Sequence, residues 1–284
     1  GPGTGKTKTL VARISYLVRQ LGASPAAITA VSFTNKAAGE MRNRLSRQWD
    51  NVQAVKAMRI GTFHAICLDL LRQRGGEIAV LDDAAAGSVV KEVLGELGLK
   101  LPAREALREI SLFKCGASAS PALPEGVYAA YQARLAEYGA MDYDDILLRA
   151  LETEVPATRF DHLLVDEFQD MNPVQYRLMQ KWAKHSQSVF VIGDPDQSIY
   201  GFRGSTSQCF SWLRADFPGL AEVALTRNYR STAEILAASA PIVAGREAPG
   251  LDAQRGRGAK VRFVDAGSTF SEALFVAKEI GRMV

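Results

Sequence analysis

The chain has 284 residues, 47% of them hydrophobic and 23% charged, with a formal net charge of +3. That is enough for one large or two modest globular domains, and no apolar run approaches the roughly 18 residues a membrane span needs. Cys67, Cys115 and Cys209 form no CxxC pair and His64, His162 and His185 do not cluster, which argues against a disulfide framework or a zinc site and points to a reducing cytoplasm.

In chain order, the first segment is Gly1-Pro2-Gly3-Thr4-Gly5-Lys6-Thr7 rather than Met and an apolar leader, as expected of a truncated start with no secretory signal. Residues 9–20 carry Leu10, Val11, Ile14, Leu17 and Val18 at helical spacing. Residues 28–33 read as a short buried strand, 35–48 as an Ala-, Arg- and Lys-rich helix, 60–63 as a strand and 65–72 as a helix. Lysine and arginine concentrate between Lys36 and Arg74, a mildly basic stretch that permits a nucleic-acid partner without demanding one. Residues 75–139 turn to Ala-rich helical stretches, broken at 116–121, and read as a helical insertion. The runs 162–165 and 188–192 are apolar and end in Asp166-Glu167 and Asp194, as parallel strands buried on both faces do. Residues 249–260 read as a loop, 261–264 as a strand and 271–283 as a helix. Trp182 and Trp212 are assigned to the core.

Two of these segments carry chemistry. The opening segment is the P-loop pattern G-x-x-x-x-G-K-[ST] lacking its first position. Its glycines let backbone N–H groups turn around phosphates at a helix N-terminus, where the dipole also favours anions. Lys6 is then placed to reach the β and γ phosphates, and the Thr7 hydroxyl to ligate Mg²⁺. At the end of the later strand, Asp166 is placed to hold Mg²⁺ and Glu167 to orient or deprotonate the attacking water.

Further motifs stand in a fixed order around these two. Val31-Ser32-Phe33-Thr34-Asn35-Lys36-Ala37-Ala38 is followed by Gly61-Thr62-Phe63-His64, then Met141-Asp142-Tyr143-Asp144-Asp145 and Asp166-Glu167-Phe168-Gln169-Asp170. Next comes the run Gly193-Asp194-Pro195-Asp196-Gln197-Ser198-Ile199-Tyr200-Gly201-Phe202-Arg203-Gly204, and last Leu225-Thr226-Arg227-Asn228-Tyr229-Arg230-Ser231-Thr232. Series and order resemble the UvrD/Rep/PcrA family of superfamily 1 helicases.

The resemblance implies an α/β fold: a P-loop NTPase (RecA-like) parallel sheet flanked by helices, with an inserted helical subdomain. It implies a first motor domain in two parts, 1–74 and 140–232, around an accessory insertion at 75–139, with a truncated second RecA-like domain beginning at 233–284. ATP and Mg²⁺ are the implied ligands. Gly1, Pro2, Gly3, Thr4, Gly5, Lys6 and Thr7 would cradle the phosphates, Gln197 would contact the γ-phosphate, Arg230 would act as an arginine finger, and Tyr229 would stack on adenine. Phe33, Asn35, Phe63, His64, Tyr200, Phe202 and Arg203 would contact DNA. Phe202 stands where the family commonly has Trp, and His64 is expected to hydrogen-bond rather than act as acid or base. Tyr143-Asp144-Asp145 fits equally a helix N-terminus with acidic first-turn residues and a place at the DNA track.

The implied activity is ATP-dependent helicase and translocase action on single-stranded DNA and duplex junctions, with 3′-to-5′ polarity and repair or nuclease proteins as partners. Nothing after Arg230 resembles the family's last boxes, so this chain is expected to hold a half-site that is inactive as a helicase alone. The alternatives are a nucleotide- or DNA-binding module without turnover and the motor part of a helicase–nuclease, toward which Gly201-Phe202-Arg203-Gly204 leans.

Overall fold

The computed structural model describes residues 1–49, 51–75, 78–154, 160–243 and 250–284. By compactness the chain forms two units: residues 5–223, and residues 1–4 together with 224–284. The division falls upstream of the expected 232/233 boundary, and the first four residues go with the later unit.

The larger unit is built on a parallel sheet. Its strands are β1 (Ile28–Val31), β2 (Arg59–Gly61), β5 (His162–Val165) and β6 (Ser188–Val191), in the order β2-β1-β5-β6. Registers place Val31 beside Val165, and Val165 beside Val191, so three carboxyl ends come out level. Every residue of β1 is buried, which explains its unalternating sequence. Helix α1 (Lys6–Arg19) precedes β1, α2 (Asn35–Gln48) and α3 (Val52–Ala57) lie between β1 and β2, and α4 (Phe63–Arg72) follows β2. Helix α8 (Tyr143–Glu152) precedes β5, α9 (Pro173–Ala183) joins β5 to β6, and α10 (Gln208–Asp216) follows β6.

Several boundaries differ from the sequence reading, those at Val31 and Phe63 for one reason. Helix α1 starts at Lys6 rather than at 9, β1 stops at Val31, and Phe63 begins α4 instead of ending a strand. Thr34 and Thr62 turn the chain at these points: each accepts from the backbone N–H three residues on, at 3.1 and 3.2 Å. A short polar side chain of this kind starts a helix at once and cuts the apolar run before it. Phe63 is thereby swung into the core, 5% exposed and stacked on Trp182, which is itself stacked on Phe160.

Between β2 and β5 lie α5 (Asp83–Glu96), α6 (Ala103–Lys114) and α7 (Val127–Glu137), with their own core of Val90, Leu94, Ile110, Val127, Tyr131 and Leu135. Two short strands, β3 (Ala79–Val80) and β4 (Ala140–Met141), pair in parallel and close the neck of this insertion.

In the smaller unit, β7 (Arg227–Asn228) pairs with β8 (Asp252–Ala253), within the segment read as a loop. Helix α11 (Ala233–Ser239) and helix α12 (Thr269–Met283) complete it. The strand expected at 261–264 does not form: Val261, Phe263 and Val264 are 41%, 86% and 48% exposed, with no ladder partner among the described residues. An apolar tetrapeptide without a neighbour to take its N–H and C=O groups has no reason to stay extended. Among the described residues no helix is long and apolar enough to cross a membrane.

Candidate nucleotide and nucleic-acid site

Three strand ends supply the polar groups of the larger unit. After β1 come Ser32 and Phe33, after β5 Asp166 and Glu167, after β6 Gly193 and Asp194. Backbone bonds lock the ends together: Asp166 N–H donates to Val31 O at 2.8 Å, and Ile192 N–H to Val165 O at 2.9 Å. Ligands of open α/β sheets bind at such carboxyl ends.

Lys6 Nζ lies 3.8 Å from Asp194 Oδ2, and the Gln197 side-chain amide donates to the same oxygen. Glu167 has φ 47° and ψ 49°, the one non-glycine residue with positive φ among those described. Such backbone costs on the order of 1–3 kcal/mol and concentrates at functional sites. Its own N–H donates to Asp166 Oδ1 at 3.0 Å. Thus Lys6, Glu167 and Gln197, expected to act together, are carried by one connected set of loops, and Thr7 follows in the first turn of α1.

The groups present fit a nucleotide with a divalent cation. Gly5 caps α1 in the left-handed conformation, with no side chain capping the first turn. An uncapped helix start of this form favours anions. Asp166 is 4% exposed, and burial, then the neighbouring Glu167, pushes its pKa to about 6. Asp170 is pushed to about 6 by the same two causes, and its Oδ1 has no hydrogen-bond partner. Lys6 already draws both values down, so further positive charge beside them would favour their ionised forms.

The smaller unit holds the remaining expected nucleotide residues. Asn228, 1% exposed, organises them: its Nδ2 donates to Pro2 O at 2.6 Å, and its Oδ1 accepts from Arg230 N–H at 2.9 Å and Ser231 N–H at 2.8 Å. Tyr229 N–H donates to Gly3 O at 2.9 Å, and Thr4 Oγ1 to Gly1 O at 2.8 Å. A Cβ on Gly3 would come within 2.6 Å of Arg230 Cβ, so this close approach demands glycine. Tyr229 is 58% exposed and Arg230 is exposed, so the ring and the charge are not buried within the unit. Nothing in the motif had assigned Asn228 a role of its own.

The residues expected to touch DNA divide. Phe33 and Tyr200 stack at 5.0 Å, with Phe202 a further 6.0 Å from Tyr200 and 65% exposed. Arg203 lies over the Phe202 ring and is exposed, and Asn35 is exposed at the start of α2. His64 follows Phe63 on α4, and burial lowers its pKa, keeping the ring neutral at pH 7. Phe63 is mostly buried, stacked on Trp182, and its remaining exposed edge lines the groove described next. A groove of about 250 Å³ joins Phe33, Thr34, His64 and Arg203 to Asp166 and Glu167. Ser32 also lines it, and its buried Oγ has no partner.

Met141–Asp145 resolves into two roles. Asp142 caps α8, and Asp142 and Asp145 form a reciprocal capping box. Tyr143, 47% exposed, meets His64 edge-on at 5.9 Å between ring centres.

Comparison with known proteins agrees with this arrangement. Residues 1–93 and 116–218 match the UvrD/REP helicase N-terminal domain. The chain is 32% identical over 314 residues to the ATP-dependent DNA helicase PcrA of Leuconostoc citreum, covering 100% of this chain and 42% of that protein. It is 32% identical over 312 residues to PcrA of Staphylococcus aureus, with 99% and 42% covered. A similar match, 32% over 318 residues, is made to PcrA of Staphylococcus epidermidis. The chain thus spans 42% of the length of these relatives. With ordered motifs, parallel sheet and family match in agreement, this chain belongs to the UvrD/REP helicase family.

Proposed function

We propose that this chain is the ATP-binding motor part of an ATP-dependent helicase that moves along single-stranded DNA, with 3′-to-5′ polarity. The observation that carries it is the shared groove: the aromatic and cationic wall of Phe33, His64 and Arg203 continues into Asp166 and Glu167. A strand lying there would touch the residues that serve hydrolysis, which is what coupling requires. Each base stacked on an aromatic contributes roughly 1–3 kcal/mol without sequence preference, a role suited to Phe33, Tyr200 and Phe202.

For the nucleotide, Lys6 binds the β and γ phosphates, exchanging Asp194 for them, and Gln197 follows to the γ-phosphate. Glu167 takes a proton from the water that attacks it. Thr7 and Asp166 would hold Mg²⁺, which neutralises phosphate charge when bound. The resemblance gives Tyr229 the role of stacking on adenine and Arg230 that of stabilising the transferring phosphoryl. Residues 75–139 would form an accessory subdomain between the two parts of the first motor domain, and residues 233–284 would begin a second RecA-like domain.

The test is binding of a fluorescent ATP analogue, and ATP hydrolysis with and without single-stranded DNA, beside Lys6→Ala. Nucleotide binding that Lys6→Ala abolishes, with slow turnover by this chain alone, is expected. Binding indifferent to Lys6→Ala would overturn the assignment of the site.

A further inference from the structure

Gln169 is 2% exposed and sits in the turn that follows Glu167. Both ends of its amide are engaged. Nε2 donates to Glu167 Oε2 at 2.9 Å, and Oε1 accepts from Asp194 N–H at 2.9 Å. Nε2 also lies 3.5 Å from Asp170 Oδ2. One side chain therefore bridges the end of β5 and the loop after β6. The fit is tight: a Cβ on Gly193 would come within 2.8 Å of Gln169 Oε1 and 3.0 Å of Phe168 Cβ.

The loop it reaches is the one whose carboxylate engages Lys6 and Gln197. The two bonds also fix the chemistry needed. An ionised Glu167 only accepts and a backbone N–H only donates, so the bridging group must do both. A primary amide does; a carboxylate keeps only the bond to Asp194, and a thioether keeps neither. Glu167 has particular need of a strut, because its left-handed backbone takes it out of both strand and helix.

We propose that Gln169 is a positioning residue for Glu167, fixing the carboxylate relative to Asp194 so that a shift of the β6 loop, as Lys6 and Gln197 pass from Asp194 to a phosphate, is transmitted to the base. It rests on the assignment of Glu167 to hydrolysis.

Two variants separate the arms, Gln169→Glu and Gln169→Met, and two readouts separate the proposal from that assignment. The first readout is hydrogen exchange in nucleotide-free protein by NMR. Gln169→Met is expected to speed exchange of the Asp194 amide about tenfold and Gln169→Glu to leave it near wild type. The Gln169 side-chain NH₂ is expected to be protected in wild type and to lose protection in Glu167→Ala. The second is single-turnover ATP hydrolysis, where both variants should lower the rate about 10²-fold and leave affinity for the fluorescent ATP analogue within about twofold of wild type.

An Asp194 amide indifferent to Gln169→Met, or an NH₂ group indifferent to Glu167→Ala, overturns the proposal. Loss of rate and nucleotide affinity together does so too, because it marks general damage to the site. A wild-type chain that turns over no faster than Lys6→Ala tells against the hydrolysis assignment for this chain, and the exchange data then decide whether Gln169 holds Glu167.

Discussion

Two clusters in the larger unit are built from the same materials, a lysine among carboxylates, and behave as opposites. At the neck of the insertion, Lys114 is fully buried, with Nζ 2.6 Å from Asp142 and 2.8 Å from Asp145 and 5.0 Å from the Tyr131 ring centre. Tyr131 donates to Asp142 at 2.9 Å, and the two aspartates complete the cap of α8. Burial alone would raise the Asp142 pKa, but Lys114 beside it holds it below the usual carboxylate value. At the strand ends, Lys6 stands 3.8 Å from Asp194, Asp166 and Asp170 are pushed up to about 6, Glu167 is strained, and Ser32 Oγ and Asp170 Oδ1 are buried without partners. In the first, Lys114, Tyr131, Asp142 and Asp145 satisfy one another; the second is short of positive charge and hydrogen bonds. Local dissatisfaction, rather than charge as such, marks where a ligand belongs.

The sharpest way to break this contrast is to remove each lysine. Lys114→Met leaves Asp142 and Asp145 buried without their cation. Removing one partner of a buried pair costs about 3–5 kcal/mol, so the urea midpoint of unfolding should fall steeply. Lys6→Ala gives up a longer contact, 3.8 Å to Asp194, and should lower that midpoint by less while abolishing nucleotide binding. Equal losses of stability in the two variants would erase the distinction.

Much of the strand-end cluster was legible because its signals are local. Asn35–Gln48 appears with the expected bounds, since Thr34 caps it and its buried Ala38, Met41 and Leu45 keep helical spacing. The runs ending in Asp166-Glu167 and Asp194 read as buried parallel strands from composition alone; both are parallel strands of one sheet, His162–Val165 largely buried but Ser188–Val191 only half-buried. The neck cluster was not legible: Lys114 ends an ordinary helix, and its partners lie 28 and 31 residues on in the sequence. Gln169 stood within a quoted motif, yet its bond to Asp194 spans 25 residues and exists only once β5 and β6 are side by side. The burial of Phe63 was not legible, because an aromatic in a motif looks the same whether its ring is open or stacked on Trp182. The run 261–264 has the composition of a strand, but composition supplies no neighbour.

A smaller effect sharpens the comparison through pH. Asp144 belongs to the neck but is its least satisfied member: burial raises its pKa to about 6, even though Ser111 Oγ donates to it at 2.6 Å and Lys114 is near, with Asp142 and Asp145 adding repulsion. A carboxyl whose folded pKa lies above its ordinary value favours folding when protonated. Its contribution is complete below about pH 4 and is lost as pH rises through about 6. Asp144→Asn keeps an acceptor for Ser111 and removes the charge. Full conversion of the shift would give about 3 kcal/mol; water reaches this side chain, which brings the expected gain to on the order of 1 kcal/mol at pH 7.5. Below about pH 4 the variant and wild type should unfold alike. A gain that persists in acid would mean that packing, and not ionisation, separates them.

The smallest effect bears on the other cluster and has the opposite sign to most substitutions at a site. Glu167 occupies the left-handed region at φ 47°, where a residue with a Cβ costs about 1–2 kcal/mol. Glu167→Gly removes that strain but gives the unfolded chain more freedom, which returns about 0.5–1 kcal/mol. It also gives up the bond from Gln169 and relieves the crowding that raises Asp166 and Asp170. The net should be a stabilisation of up to about 1 kcal/mol, read as a small rise in the thermal midpoint at pH 7.5, together with loss of the carboxylate assigned to hydrolysis. Glu167→Ala, which keeps a Cβ in the same backbone, separates the causes: it removes the charge and the bond without the strain, so the glycine variant should be the more stable of the two. If alanine stabilises as much as glycine, the dissatisfaction at the strand ends is electrostatic alone, and the backbone at Glu167 stores nothing.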